Sequence, residues 1–250
     1  MVHGTMGDYR TWRGIQRVLS KEYLTLSYSR RYNYPNPDVM SVTEYSILED
    51  AQDLIDLIEA AGLGRTNIIA ASSGAAVALL AAYQKPDIFK NLILIEPALR
   101  SWLPNIVGGE SIYKRFLEKA WIPAQSEMQN GDRNGAIRRL VDAFNGLGAW
   151  ESFPPAARAS MLQNNREIEL ALKSDQNLTP ITMQQAATIS VPCLLVCGEK
   201  SPSAYRLISD ELVTLMPQSR MITIPDARHA VWLDQPTKFA ECVRSFLSDQ

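Results

Sequence analysis

Apolar runs and segments with apolar positions at helical spacing alternate along most of this chain. Tyr23-Leu24-Thr25-Leu26-Ser27-Tyr28 reads as a strand, and the polar loop SRRYNYPNP with two prolines follows it. Ser41 and Glu44 form a capping box that opens a helix carrying Leu54, Ile55, Ile58 and Ala61 on one face, ending near Gly62 and Gly64. Ile68-Ile69 has the composition of a buried parallel strand, and Ala75 to Ala82 that of a helix, stopped at Lys85-Pro86. Asn91 to Ile95 is a second continuously apolar strand, ending at Glu96-Pro97. From about Ser101 to Ser190 strand signals vanish; helical patterns such as Ile137, Leu140, Val141 and Phe144 replace them. Strands resume at Val191 to Cys197 and at Met221 to Ile224. Ser201-Pro202 opens the helix between them, with Ser201 as N-cap, and a last helix runs from about Pro236 to Leu247.

Strands alternating with helices predict an α/β architecture, a doubly wound, mostly parallel sheet. The expected division is a core of residues 1–100 and 188–250, with 101–187 inserted as a helical cap at the carboxyl edge of the sheet, where such folds bind ligands.

The chain is organised around one strand-to-helix junction, Ala70-Ala71-Ser72-Ser73-Gly74, where every side chain is small. A sharp turn from strand into helix crowds its own backbone, admits only small neighbours and projects the apex side chain above the sheet. That is the physical basis of the G-x-S-x-G nucleophile elbow, here written A-x-S-x-G with Ser72 at the apex. The chain has two histidines. His3 belongs to His3-Gly4-Thr5-Met6-Gly7, a turn that frees a backbone N–H. His229 follows the last strand by a short loop, which places it at the same sheet edge as Ser72 and makes it the candidate base.

Composition narrows the function classes. The chain has 250 residues, 46% of them hydrophobic, enough for one sizeable core. Its net charge of −2, with signs interspersed, gives no basic stripe for nucleic acid. No apolar run reaches the roughly 20 residues that span a bilayer. The first residues lack the charged and apolar regions of a signal peptide, so the expected location is cytoplasmic. Cys193, Cys197 and Cys242 are an odd number without a histidine cluster, and neither metal nor cofactor is expected.

The HGTMG stretch, the ASSGA junction, the LILIEP strand end, the helical insert and PDARHAVWLDQP together resemble the α/β-hydrolase fold family, over essentially the whole chain. The closest likeness is to its capped, lipase- and haloperoxidase-like small-molecule branch. The resemblance implies a catalytic triad with Ser72 as nucleophile and His229 as base, and an oxyanion hole made by the backbone N–H groups of Ser73 and Thr5. The family usually places the acid in a G-x-x-D turn after the next-to-last strand. Gly198-Glu199-Lys200-Ser201 carries a serine there. Some members instead place the acid after the strand that follows the elbow helix, where this chain has Glu96. Glu199 and Asp226 are the alternatives.

Family members also carry further strands before the His-Gly turn, so the amino-terminal strands are expected to be reduced or missing here. The open edge would suit a second copy of the chain, a homodimer. Met6, Trp102, Phe144 and Trp150 are the candidate substrate-binding residues; Trp121, Phe153 and Met161 are other cap side chains able to line a cleft. Arg30-Arg31-Tyr32 reads as a solvated loop, although an arginine there could hold a substrate carboxylate. The expected activity is serine-dependent hydrolysis of a small, fairly apolar ester, thioester or lactone. The alternatives are carbon–carbon bond cleavage by the same triad, or ligand binding with little turnover. The elbow serine argues against the members that use an aspartate nucleophile.

Overall fold

A computed structural model describes residues 1–37, 45–173 and 181–249. Four parallel strands, β1 (Thr66–Ala71), β2 (Phe89–Ile95), β3 (Cys193–Gly198) and β4 (Ser219–Ile224), lie side by side in chain order. Their register aligns Ala71 with Ile95, Ile95 with Val196, and Val196 with Ile222. The carboxyl ends of the strands therefore finish together, and whatever follows each one emerges along a single edge.

Around the sheet run α1 (Arg13–Leu19), α2 (Ile47–Ala60), α3 (Ser73–Gln84), α4 (Gly109–Phe116), α5 (Ile122–Gln129), α6 (Arg133–Asn145), α7 (Ala149–Ser152), α8 (Pro155–Gln163), α9 (Arg166–Lys173), α10 (Met183–Ala187), α11 (Ser203–Leu215), α12 (Val231–Asp234) and α13 (Pro236–Ser248). Period-two alternation along the strands divides the core into two layers. Ile68, Leu92, Leu94, Cys193 and Leu195 face α2, α3, α11 and the helices between β2 and β3. Ile69, Ile93, Ile95, Leu194 and Val196 face α1 and α13. Both faces of the central strands are covered, which is why those strands read as unbroken apolar runs. Each fully buried Ile or Leu adds about 1.5–3 kcal/mol of transfer free energy.

Between β2 and β3 the described residues form no strand; α4 to α10 occupy that interval. No described helix is long and apolar enough to cross a membrane.

Three local expectations change. Tyr23 to Tyr28 is not a strand. A strand needs a partner, and this segment pairs with no described strand; beside β1, Val2 makes one parallel bridge to Ala70. The Met1 ammonium caps the carbonyl of Leu26 at 2.7 Å, and Leu24 is left 89% exposed. Second, the helix read from Ser41 spans Ile47–Ala60 with Ser46 as its N-cap residue, while Ser41 and Glu44 lie outside the described residues. Third, Ser201 is not the N-cap of α11. That position is Pro202, and the Ser201 hydroxyl is buried without a partner beneath Gly198.

Candidate active site

Ser72 sits at the junction of β1 and α3 with φ 55° and ψ −120°, a region that costs a side-chain-bearing residue roughly 1–3 kcal/mol. The surroundings hold it there. Its N–H donates to Ile95 O at 2.9 Å, and its carbonyl accepts from Ala98 N at 3.1 Å and Ala75 N at 3.0 Å. The small residues around it follow from close approach: a Cβ at Gly74 would stand 2.3 Å from His3 O, and one at Gly4 would stand 3.0 Å from Ser72 Cβ. The His3-Gly4 turn thus lies directly against the elbow.

The carboxylate of Glu96, at the end of β2, is fully buried and also carries a positive φ, 46°. Both oxygens are satisfied: Oε1 accepts from Gly198 N at 2.7 Å, and Oε2 lies 2.5 Å from Nδ1 of His229. Glu199 and Asp226 are engaged elsewhere. Glu199 Oε2 accepts from Asp226 N at 2.9 Å, while exposed Asp226 pairs with Lys200 at 2.7 Å.

His3 has a different environment. Fully buried, it donates from Nδ1 to Gly4 O at 2.9 Å and accepts at Nε2 from Arg30 N at 2.9 Å. Both ring nitrogens are used by the neutral form. Burial first, then the Arg30 charge, pushes its pKa down to about 3. His3 is a neutral strut for the turn.

Ser72 and His229 line one cavity of about 320 Å³, together with Gly4, Thr5 and Met6. Val141, Phe144, Phe153, Met161 and Trp232 give it a largely apolar lining, with Asp8, Arg10, Asn145 and Ser160 among the polar members. Among the described residues, neither the Ser73 nor the Thr5 backbone N–H has a protein acceptor. The Ser73 N–H also stands at the positive end of α3. Of the four expected substrate-binding residues, Met6 and Phe144 line this cavity; Trp102 and Trp150 do not. Trp102 is core, its indole N–H donating to Ile181 O at 3.0 Å. Trp150 is buried at the start of α7 under the Arg158 guanidinium, and Trp121 packs on Phe116.

Next to Thr5 and Ser73 lies a charge cluster that no local pattern in the chain announces. Arg30 is 1% exposed, neither solvated nor open to a ligand. Its guanidinium pairs with Asp50 on α2 and Glu167 on α9, and donates to Ser73 Oγ at 3.1 Å. Thr5 Oγ1 donates to the same Ser73 oxygen at 2.9 Å and lies 3.2 Å from Glu167 Oε1. Burial raises the Glu167 pKa, with Arg30 opposing it. Asp8 ties the same turn to the helices, accepting from Asn164 Nδ2 at 2.7 Å. Burial alone would raise the Asp8 pKa, but hydrogen bonds from Arg10 and Asn164 outweigh it and hold the group below its ordinary value. Arg31, by contrast, is exposed and pairs with Asp53.

Comparison with known proteins identifies the family. The family model described as alpha/beta hydrolase family matches residues 1–242. The sn-1-specific diacylglycerol lipase ABHD11 of Mus musculus is 23% identical, over 99% of this chain and 80% of its own length. Among solved structures, MenH from S. aureus aligns with a TM-score of 0.77 at 17% identity, covering 99% of this chain and 92% of that one. The enol-lactonase from Burkholderia xenovorans LB400 aligns with a TM-score of 0.75 at 18% identity, covering 99% and 89%. An elbow at the end of β1, a buried carboxylate at the end of β2 and a histidine beyond β4, on a parallel sheet that this family model spans almost entirely, have one common explanation: the chain belongs to the alpha/beta hydrolase family.

Proposed function

We propose that this α/β hydrolase is a serine hydrolase that cleaves a small, fairly apolar ester, thioester or lactone through an acyl-enzyme. The observation that carries the reading is the buried Glu96–His229 pair, whose imidazole lines the same cavity as a strained serine. In this reading Ser72 Oγ attacks the carbonyl carbon while His229 Nε2 takes its proton. Glu96 holds the Nδ1–H tautomer and stabilises the imidazolium. The developing oxyanion accepts from the Ser73 and Thr5 N–H groups, and each such donor is worth roughly 10²–10³ in rate. Collapse expels the alcohol or thiol, which leaves with the proton from His229. A water activated by the same base then releases the acid and restores Ser72.

Substrate size and polarity follow from the cavity. About 320 Å³ lies at the low end of small-molecule sites, and its lining offers no cation free of a partner. Arg10, the one cation lining it, is paired with Asp8. Residues 101–187 act as the cap: Phe144 on α6, Phe153 after α7 and Met161 on α8 form the wall opposite Ser72. A fluorophosphonate probe tests the proposal, with Ser72→Ala as control, beside a panel of p-nitrophenyl esters and lactones. Rapid labelling and turnover that both vanish in the variant are expected. Absence of labelling in the wild type would leave ligand binding as the reading.

A further inference from the structure

Tyr205 is the largest group against His229 that the mechanism above does not use. It is fully buried on α11, and its ring lies parallel to the imidazole, with centroids 4.2 Å apart and planes 10° from each other. Its hydroxyl accepts from Arg100 Nη2 at 2.5 Å. Arg100 stands in the turn after β2, four residues beyond Glu96. Its guanidinium carbon is 4.6 Å from the Phe144 ring centre and 5.1 Å from that of Phe116. No described carboxylate forms an ion pair with it.

Building on the reading of His229 as base, we infer that Tyr205, held by Arg100, is a positioning residue that fixes the His229 imidazole and favours its protonated form. Glu96 fixes the ring at one edge, Nδ1, and a single hydrogen bond leaves the ring free to rock about that edge. A parallel aromatic face removes the rocking and keeps Nε2 aimed into the cavity. The same face is electron-rich, so it stabilises the imidazolium that forms as Ser72 loses its proton. The hydroxyl has a direction too. Arginine only donates, so Arg100 occupies a lone pair of the Tyr205 oxygen.

The charged and titratable groups around the imidazole are Glu96 from β2, Tyr205 from α11, Arg100 behind Tyr205, and the Arg228–Asp234 pair beside it in the loop. Arg100 opposes the imidazolium by charge repulsion, while Tyr205 favours it through its ring. The two substitutions should therefore move the histidine in opposite directions.

The test is an NMR titration of the histidine ring protons alongside kcat and KM on the best p-nitrophenyl ester. The chain has two histidines, so the titration is run in a His3→Gln background, where the remaining histidine signal belongs to His229. Tyr205→Leu should move the His229 titration to lower pH and lower kcat about tenfold or more, with KM little changed, because Tyr205 does not line the cavity. Tyr205→Phe should restore the pKa, and Arg100→Met should raise it. An unchanged His229 pKa in Tyr205→Leu, or loss shared equally by kcat and KM, overturns the inference. If Tyr205→Leu does not fold, Arg100→Met decides the matter, and an unmoved titration there overturns it equally. The titration needs no turnover, so an inactive wild type defeats the proposed function without touching this measurement.

Discussion

Glu96 and His229 are 133 residues apart in the chain, and Glu96 Oε2 lies 2.5 Å from His229 Nδ1 in a site closed to solvent. An acid in this place rather than after β3 has a direct consequence. Glu96→Gln keeps the shape and removes the charge; the corresponding change in a serine protease costs about 10⁴ in kcat. A similar loss is expected here, measured on the best ester. Glu199→Gln and Asp226→Asn should stay within about twofold of wild type, since both side chains are engaged away from His229. Full activity in Glu96→Gln would return the acid to one of those two.

The elbow predicts an unusual ordering of stabilities. Ser72 is held at φ 55°, where glycine is at ease and a Cβ is not. Ser72→Gly should therefore be more stable than Ser72→Ala by about 1 kcal/mol, the reverse of the order in an ordinary helix-proximal position. Both variants should fail to label with the fluorophosphonate. Urea melts compared at equal m-value check it, and an alanine variant as stable as the glycine one would mean the strain is not stored there.

His3 makes the fold sensitive to acid. Its pKa is depressed from 6.5 to about 3, so the folded state binds this proton less readily than the unfolded chain. The stabilisation is complete above about pH 6.5 and is lost as pH falls from there toward 3. His3→Gln keeps a donor and an acceptor without a titration in that range. Its Tm should therefore fall less steeply between pH 6 and 4 than that of the wild type, even if it starts lower. Parallel slopes would place the acid sensitivity elsewhere.

Arg30 serves two buried acids, Asp50 and Glu167. Removing the shared partner of a buried pair leaves uncompensated charge, a loss typically of 3–5 kcal/mol. Arg30→Met should cost at least that in urea unfolding at pH 7. Part of it should return as pH falls and Glu167, whose pKa burial has already raised, takes up a proton. Glu167→Gln should fold, keep KM and lower kcat, since Thr5 and Ser73 lose a common anchor. If Arg30→Met is as stable as wild type, the cluster carries no weight in the fold.

How much of this was legible in the sequence follows from how local each cause is. Ser72 and Gly74 stand out because an elbow is made by five adjacent residues. His229 stands out because it alone follows a strand at the edge already occupied by Ser72. Tyr23 to Tyr28 has strand composition, but composition does not decide pairing, and no described strand pairs with it. Trp102 and Phe144 have the same sequence character; which one faces the cavity depends on how α4 to α10 pack, and only Phe144 does. Arg30 was opaque for a similar reason, since its partners lie 20 and 137 residues away. Tyr205 left no signal beyond its place in a helix that follows the G-x-x-S turn.

The cluster next to Thr5 and Ser73 gathers Arg30, Asp50 and Glu167 from three distant parts of the chain, and His229 comes later still. During synthesis, the elbow and the turn that faces it emerge in the first third of the chain, while the group that neutralises the arginine and the group that awakens the serine emerge in the last. A half-made or clipped polypeptide therefore holds a serine with no base and an arginine lacking one of its two acids. On the triad proposed above, such a fragment has the nucleophile but no means of activating it.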